Sequence, residues 1–355
     1  MIEIRPVKAG SQEEKDFLSL PSLLYSKSDI MQNLEEEQQQ IAGCHVLSHY
    51  YQFQAYVAYQ DKKIQARCAL VYYPHLNEAY LGYFEAYDNQ AVISQLFTKM
   101  KHQAQNKSKI ALIGPINASF WLGYRMKTSG FHDAIFSGEP HNPSYYPKLW
   151  QEAGFVVTDC YLSNFYNQVE QGQQQKKMEK RYKEFLNNGY RIFSPKRKEW
   201  EHYAPQVFQL LSQLYQDFPT YQAISSPEFS HIFSSLKTAL DFSMVKLAFY
   251  QEELVGFLIS LPDYGNRIYK KMSLLDIVTF FKERYRAKRY ILLYLGVKPG
   301  HLGLGSALSF PIYQAVQKRR ALTIGALIHQ GKVTQGYAPE LQEKRRSYAL
   351  YRLDL

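Results

Sequence analysis

The chain has 355 residues, room for two domains of ordinary size, and at 46% hydrophobic and 21% charged residues it is globular rather than disordered. Its net charge of +10 favours anionic partners, but no Lys/Arg block is long enough to be a nucleic-acid tail, so the charge reads as a spread, solvated surface and nucleic acid as an unlikely partner. Three cysteines, Cys44, Cys68 and Cys160, are too few and wrongly spaced for a disulfide framework or a zinc site; MIEIRPVKAG lacks the apolar core of a signal peptide, and no apolar run approaches the ~18 residues of a membrane span, so the expectation is a soluble cytoplasmic protein.

Residues 1–7 read as a first strand, and a loop-and-helix region runs to about Tyr50 with a Glu/Gln-rich exposed face at 35–40. Residues 54–59 and 64–73 pattern as a hairpin around Gln60-Asp61-Lys62-Lys63. Residues 80–87 (YLGYFEAY) form a further strand, and Val92, Ile93, Leu96, Phe97 and Met100 line one face of a helix. Residues 110–113 are a short buried strand ending in Gly114-Pro115. Residues 116–144 are irregular, rich in Gly, Asn, Ser, His and aromatics; loops of that length are usually functional or disordered, and the aromatics argue against disorder. A short helix at 145–153, closed by Gly154, and a strand at 156–166 end this half.

Residues 168–188, rich in Gln, Lys and Glu, read as a polar helical linker between domains 1–167 and 189–355. The second half repeats the order of the first. A strand at 190–193 precedes a helix faced by Val207, Leu210, Leu211, Leu214 and Phe218. A second helix at 226–240 is capped by Ser226 with Pro227 in its first turn. A hairpin (244–250, 254–261) turns at Gln251-Glu252-Glu253. Residues 274–285 form a basic, aromatic helix, either a lid packed on the sheet or a membrane-surface element. The apolar run 290–297 is a strand buried on both faces. A turn at Pro299-Gly300 and the sequence Gly303-Leu304-Gly305-Ser306 lead into a helix with Leu304, Ala307, Leu308, Ile312, Ala315 and Val316 at helical spacing, which Pro311 should kink or shift in register. A strand at 322–328, a weak helix at 331–346 and a strand at 348–353 that closes the sheet complete the pattern.

Strand, glycine turn and helix together place unpartnered amides at a helix N-terminus, where the macrodipole favours an anion and glycine lets the backbone approach it. Val297, Pro299, Gly303, Gly305 and the tail Ser306-Ala307-Leu308 resemble the acyl-CoA pyrophosphate loop of the GNAT superfamily of N-acetyltransferases. Two features depart from that pattern: Gly300 stands where Arg or Gln is usual, and the spacer after Pro299 is shortened. Asp88-Asn89-Gln90-Ala91, at the corresponding point of the first half, has no glycine, so no CoA is expected there.

Gly82-Tyr83-Phe84-Glu85, Gly114-Pro115-Ile116-Asn117-Ala118-Ser119, His141-Asn142-Pro143-Ser144-Tyr145-Tyr146 and Gly154-Phe155 sharpen the likeness to a bacterial group of double-GNAT proteins. The resemblance implies an α/β (α+β) chain of two tandem GNAT-like domains, each a mixed twisted sheet flanked by helices. It also implies an acyl-CoA-dependent N-acyltransferase. Acetyl-CoA or another acyl-CoA would sit on Leu295, Gly296, Val297, His301, Leu302, Gly303, Leu304, Gly305 and Ser306. A small-molecule or peptide amine acceptor would lie between the halves near Asn117, Ser119, Asn142, Tyr145 and Tyr146. Tyr337 is the candidate to protonate the leaving thiolate, and Glu85 and His141 are the candidate bases. Asn117 and Asn142 are equally readable as turn formers, one of Tyr145 and Tyr146 as core, and His141 as an exposed loop residue. The alternatives to acyl transfer from CoA are a Fem-type transferase using aminoacyl-tRNA, for which the long helical hairpin is missing, and a non-catalytic module binding CoA or a metabolite.

Overall fold

Strand β1 (Ile2–Pro6) is followed by α1 (Gln12–Leu24) and α2 (Leu34–Ala42), each begun by a side-chain cap: Ser11 accepts from the Glu14 amide and Asn33 from the Glu36 amide. Strands β2 (Gln52–Gln60) and β3 (Lys63–Tyr72) make the expected hairpin, turning at Asp61 and Lys62 with φ of 51° and 65°, the handedness a two-residue hairpin turn needs. Then come β4 (Glu78–Ala86), α3 (Gln90–Gln105), β5 (Ala111–Gly114), β6 (Met126–Lys127), α4 (Tyr146–Glu152) and β7 (Val156–Tyr166). The apolar face predicted for α3 packs with Phe84, Trp150 and Phe155 in one core cluster.

The later chain supplies α5 (Lys176–Asn187), β8 (Arg191–Phe193), α6 (Trp200–Tyr215), α7 (Ser226–Ile232), α8 (Leu236–Ala239), β9 (Val245–Tyr250) and β10 (Glu253–Pro262). These are followed by α9 (Leu274–Arg286), β11 (Arg289–Val297), α10 (Leu304–Arg319), β12 (Leu322–His329) and β13 (Gln342–Asp354). This is a computed structural model, and the residues it describes are 1–267 and 274–355. Two compact units emerge: Met1–Tyr161 with Arg346–Leu355, and Leu162–Arg267 with the stretch ending at Arg345. The first unit's strands run in the order β1-β2-β3-β4-β5, with β4 and β5 parallel; the second's run β8-β9-β10-β11-β12, with β11 and β12 parallel. Among the described residues, no helix is long and apolar enough to cross a membrane.

Several expectations are corrected. Residues 348–353 do not close the second half's sheet; Tyr351–Asp354 pair with residues 111–114 of β5 in the first unit. The weak helix at 331–346 is absent: short 3-10 turns occupy Val333–Gly336 and Pro339–Leu341, and β13 starts at Gln342, where burial begins to alternate with a period of two. The single helix at 226–240 is two, α7 and α8, and its cap is Ser225, whose side chain accepts from the Glu228 amide while the Glu228 carboxylate accepts from the Ser225 amide. Pro311 is accommodated inside α10. The polar segment 168–188 contains α5, which lies within the second unit and packs on α10, with the Tyr182 and Phe310 ring centroids 5.4 Å apart.

Candidate functional site

In the second unit β11 and β12 are in register only from Arg289↔Leu322 to Leu292↔Gly325. Beyond Leu292 the two strands part, while β10 stays paired with β11 as far as Val297. That pairing contains a bulge: Ser260 faces Leu292 and Ile259 faces Tyr294, so Leu293 is the extra residue. The result is a wedge whose β11 edge, residues 293–297, has no neighbouring strand on the β12 side among the described residues. Its backbone groups there are open to a ligand that hydrogen-bonds as a strand would.

The start of α10 closes one end of the wedge. Gly303 is its N-cap at φ 93°, ψ −10°, a conformation that would strain any other residue, and it has no side chain to satisfy the first-turn amides. The Leu304 amide donates to the His301 carbonyl, and the Ser306 and Ala307 amides donate to the Gly303 carbonyl. The Gly303 and Gly305 amides have no backbone acceptor among the described residues, and the first turn carries no acidic residue. A Cβ built on Gly303 would lie 3.6 Å from Nε of Arg181. A guanidinium from α5 therefore stands beside the N-cap glycine of α10. A Cβ on Gly305 would lie 3.0 Å from the Tyr337 hydroxyl, 3.6 Å from Leu295 Cδ2 and 3.7 Å from Val297 Cγ2.

Four sequence-predicted residues, Leu295, Val297, Gly305 and Tyr337, therefore meet at one point. Tyr337 follows the turn Val333–Gly336, which Asn164 holds by donating from Nδ2 to the Gln335 carbonyl at 3.0 Å. Burial raises the Tyr337 pKa, so the hydroxyl keeps its proton. His301 is hydrogen-bonded through Nδ1 to the Tyr190 hydroxyl at 2.7 Å, and Leu302 is 96% exposed at the tip of the loop.

The first unit repeats the wedge and fills it. Strands β4 and β5 pair only from Glu78↔Ala111 to Tyr80↔Ile113, and the β3–β4 pairing shifts register between Arg67 and Ala69. Here the chain itself lies along β4: the Ile116 amide donates to the Leu81 carbonyl at 2.9 Å, and the Tyr83 amide donates to Asn117 Oδ1 at 2.8 Å. Gly82 is required by this approach, since a Cβ would meet the Ile116 oxygen at 1.9 Å. Helix α3 is also closed, its N-cap Asn89 accepting from the Val92 amide.

Two copies of a splayed parallel pair, each beside a bulged antiparallel one, cover the whole chain. Solved structures align with the chain along its whole length. A tandem GNAT protein from the clavulanic acid biosynthesis pathway aligns over 100% of this chain and 98% of its own, with a TM-score of 0.56 at 10% identity. The chain has a tandem GNAT fold. A GCN5-related N-acetyltransferase from Kribbella flavida aligns over 99% of this chain and 72% of its own, with a TM-score of 0.50 at 8% identity. The sequence matches no protein-family model and no curated protein.

The first GNAT unit gathers most of the other predicted residues, in two groups. Glu85 Oε2 accepts from Tyr25 at 2.6 Å and from Tyr146 at 2.8 Å. The Tyr146 hydroxyl accepts from the Ala86 amide, and Tyr145 donates to the Ala86 carbonyl. The His141 ring lies against Tyr25, centroids 5.3 Å apart. Glu85 keeps partial solvent exposure, yet protein surrounds it closely; burial pushes its carboxyl up to about 7, against the pull of Arg67, which is itself paired bidentately with Glu37. Burial and then the charge of Lys127 lower the His141 pKa, which keeps the imidazole neutral. Asn117, Ser119 and Asn142 are engaged in the loop itself: Asn142 brackets the Lys127 backbone, accepting from its amide at 2.7 Å and donating to its carbonyl at 3.1 Å, and Ser119 accepts from the Trp121 amide. Arg181 and Asn164 carried no sequence signal, because neither belongs to a motif and only folding brings them to the loop.

Proposed function

We propose that this tandem GNAT protein is an acyl-CoA-dependent N-acyltransferase, acetyl transfer to a small-molecule or peptide amine being the simplest case, with the cofactor held by the second unit. The observation that carries the reading is the αL glycine at the α10 N-terminus, whose amides stay open beside Arg181, Tyr337 and the unpaired edge of β11. Acyl-CoA, when bound, supplies an acyl group activated as a thioester. The Gly303 and Gly305 amides and the Arg181 guanidinium fit its pyrophosphate. A backbone N–H within 295–297 is suited to stabilise the oxyanion that develops on the acyl carbonyl. Tyr337 Oη would be the group to give a proton to the departing sulfur, and the burial that raises its pKa keeps that proton on the hydroxyl beforehand. Glu85, whose carboxyl burial pushes up to about 7, and neutral His141 are the groups of the first unit suited to take up a proton near neutral pH. The closed helix start and the Asn117-filled wedge of the first unit favour one cofactor per chain.

Calorimetric titration with acetyl-CoA, paired with thiol release on a panel of amines, tests this. Arg181→Glu puts a carboxylate near the phosphates. Two like charges about 4 Å apart repel by about 4 kcal/mol at an effective dielectric near 20, and with half of that screened affinity drops on the order of 30-fold. Tyr337→Phe should bind normally and turn over roughly 100-fold more slowly. A wild-type protein that binds neither acetyl-CoA nor longer acyl-CoAs would sink the proposal.

A further inference from the structure

The two units join equivalent strands differently. In the first, β3 and β4 are linked by residues 73–77; in the second, β10 and β11 are linked by residues 263–288, which include α9. The short link shows that the sheet does not need the insertion. Helix α9 is held along one stripe: Phe280, 4% exposed, stacks on Tyr264 with centroids 4.4 Å apart, and Arg284 and Ala287 are buried. A second apolar stripe faces solvent, with Ile277, Val278 and Phe281 at 38%, 66% and 43% exposure. At about 100° per residue these three share one arc of the helix, and Lys282 and Arg286 lie along its flank. Lys282, Arg286 and the following Lys288 are exposed and make no ion pair among the described residues, while Glu283 is taken by Arg267 at 2.6 Å. An exposed apolar stripe flanked by cations costs solubility and gives the sheet nothing in return, which is the pattern of an interaction surface.

We propose that this face of α9 docks on the surface of an anionic lipid bilayer. Ile277, Val278 and Phe281 enter the boundary between headgroups and acyl chains, and Lys282, Arg286 and Lys288 meet the lipid phosphates. Charge complementarity selects this occupant. A second copy of the chain would set the same three cations, on a protein of net charge +10, against themselves. Nucleic acid would satisfy the cations and leave the apolar trio in water. The attachment is reversible, because one short stripe and three cations form a weak anchor.

The test is co-sedimentation of the full chain with vesicles of phosphatidylcholine alone and of phosphatidylcholine with about a third phosphatidylglycerol. Binding is expected only to the anionic vesicles and should weaken at least ~10-fold between low and high salt. Val278→Asp and Phe281→Asp, and separately the Lys282→Glu/Arg286→Glu pair, should each cut it by ~10-fold or more with unchanged melting temperature, since all four side chains are exposed. No sedimentation, or equal sedimentation with neutral vesicles, overturns the proposal. So does a dimer in light scattering that Phe281→Asp dissolves, or RNA binding that the charge reversals abolish and Val278→Asp leaves intact.

Discussion

Glu85 shows how one side chain can set a pH response for the unit around it. Burial raises its folded-state pKa from 4.5 to about 7, and burial with the neighbouring Glu37 charge does the same for Glu36. Between about 4.5 and about 7 the native state therefore holds protons that the unfolded chain has already released, so stability falls as pH rises through this window and levels off above it. Each group is worth on the order of 1–3 kcal/mol by that linkage. Glu85→Gln keeps an acceptor for Tyr25 and Tyr146 but removes the titration. Urea unfolding should find it equal to wild type at pH 5 and about 1–2 kcal/mol more stable at pH 8, with roughly half the wild-type slope remaining because Glu36 still titrates. An unchanged slope would mean that Glu85 is ionised throughout and is no proton acceptor at neutral pH.

Helix α5 makes the corresponding case for an element. None of its residues is buried, and its ion pairs, such as Arg181 to Glu184 at 3.3 Å, are exposed and worth well under ~1 kcal/mol. It is held on the second unit's core by Tyr182 and Phe185, which pack against the cluster around Leu304 and Leu308. Tyr182→Ala should cost about 1–2 kcal/mol, speed amide exchange across α5, and weaken acetyl-CoA binding as far as Arg181→Ala does. Arg181→Ala itself should leave stability unchanged. If Tyr182→Ala frees α5 yet binds the cofactor like wild type, the guanidinium plays no part in the site. The contrast also explains what the sequence could reveal. The hairpins, the β11–Gly303–α10 passage and the α3 face were legible because period-two and period-3.6 burial and positive-φ turns are local properties. The Leu293 bulge, Arg181 beside Gly303 and Asn117 on the Tyr83 amide were not, because each depends on which distant backbone comes alongside. The strand at 342–354 was read as helix in part because Glu343 to Arg346 has helix-forming composition, and tertiary pairing overrode it.

At the scale of the whole chain, the first unit is finished by the last residues. Ala349, Tyr351 and Leu353 belong to the core cluster built by α3, α4, Phe84 and Trp150, and Tyr351 and its neighbours form the strand beside β5. Arg346 ties the irregular segment to this strand: its Nη1 donates to Glu139 at 2.6 Å and its Nη2 to the Ala134 carbonyl at 3.0 Å. Tyr348 donates to the other Glu139 oxygen at 2.8 Å, and Lys127 lies 3.2 Å from that same oxygen. Residues 1–161 thus cannot complete their fold until residue 355 is made. Deleting 346–355 would expose the edge of β5, remove several fully buried side chains worth about 1.5–3 kcal/mol each, and leave Glu139 buried with Lys127 as its remaining cation. That loss matches or exceeds the ~5–15 kcal/mol that stabilises a typical domain, so the truncated first unit should not fold. Trp150, fully buried against Tyr351 with centroids 5.8 Å apart, reports on it directly. Its emission should shift to the red and lose its cooperative urea transition in the truncated protein. A truncated chain that keeps the native Trp150 emission and midpoint would show that the first unit closes without its C-terminal strand.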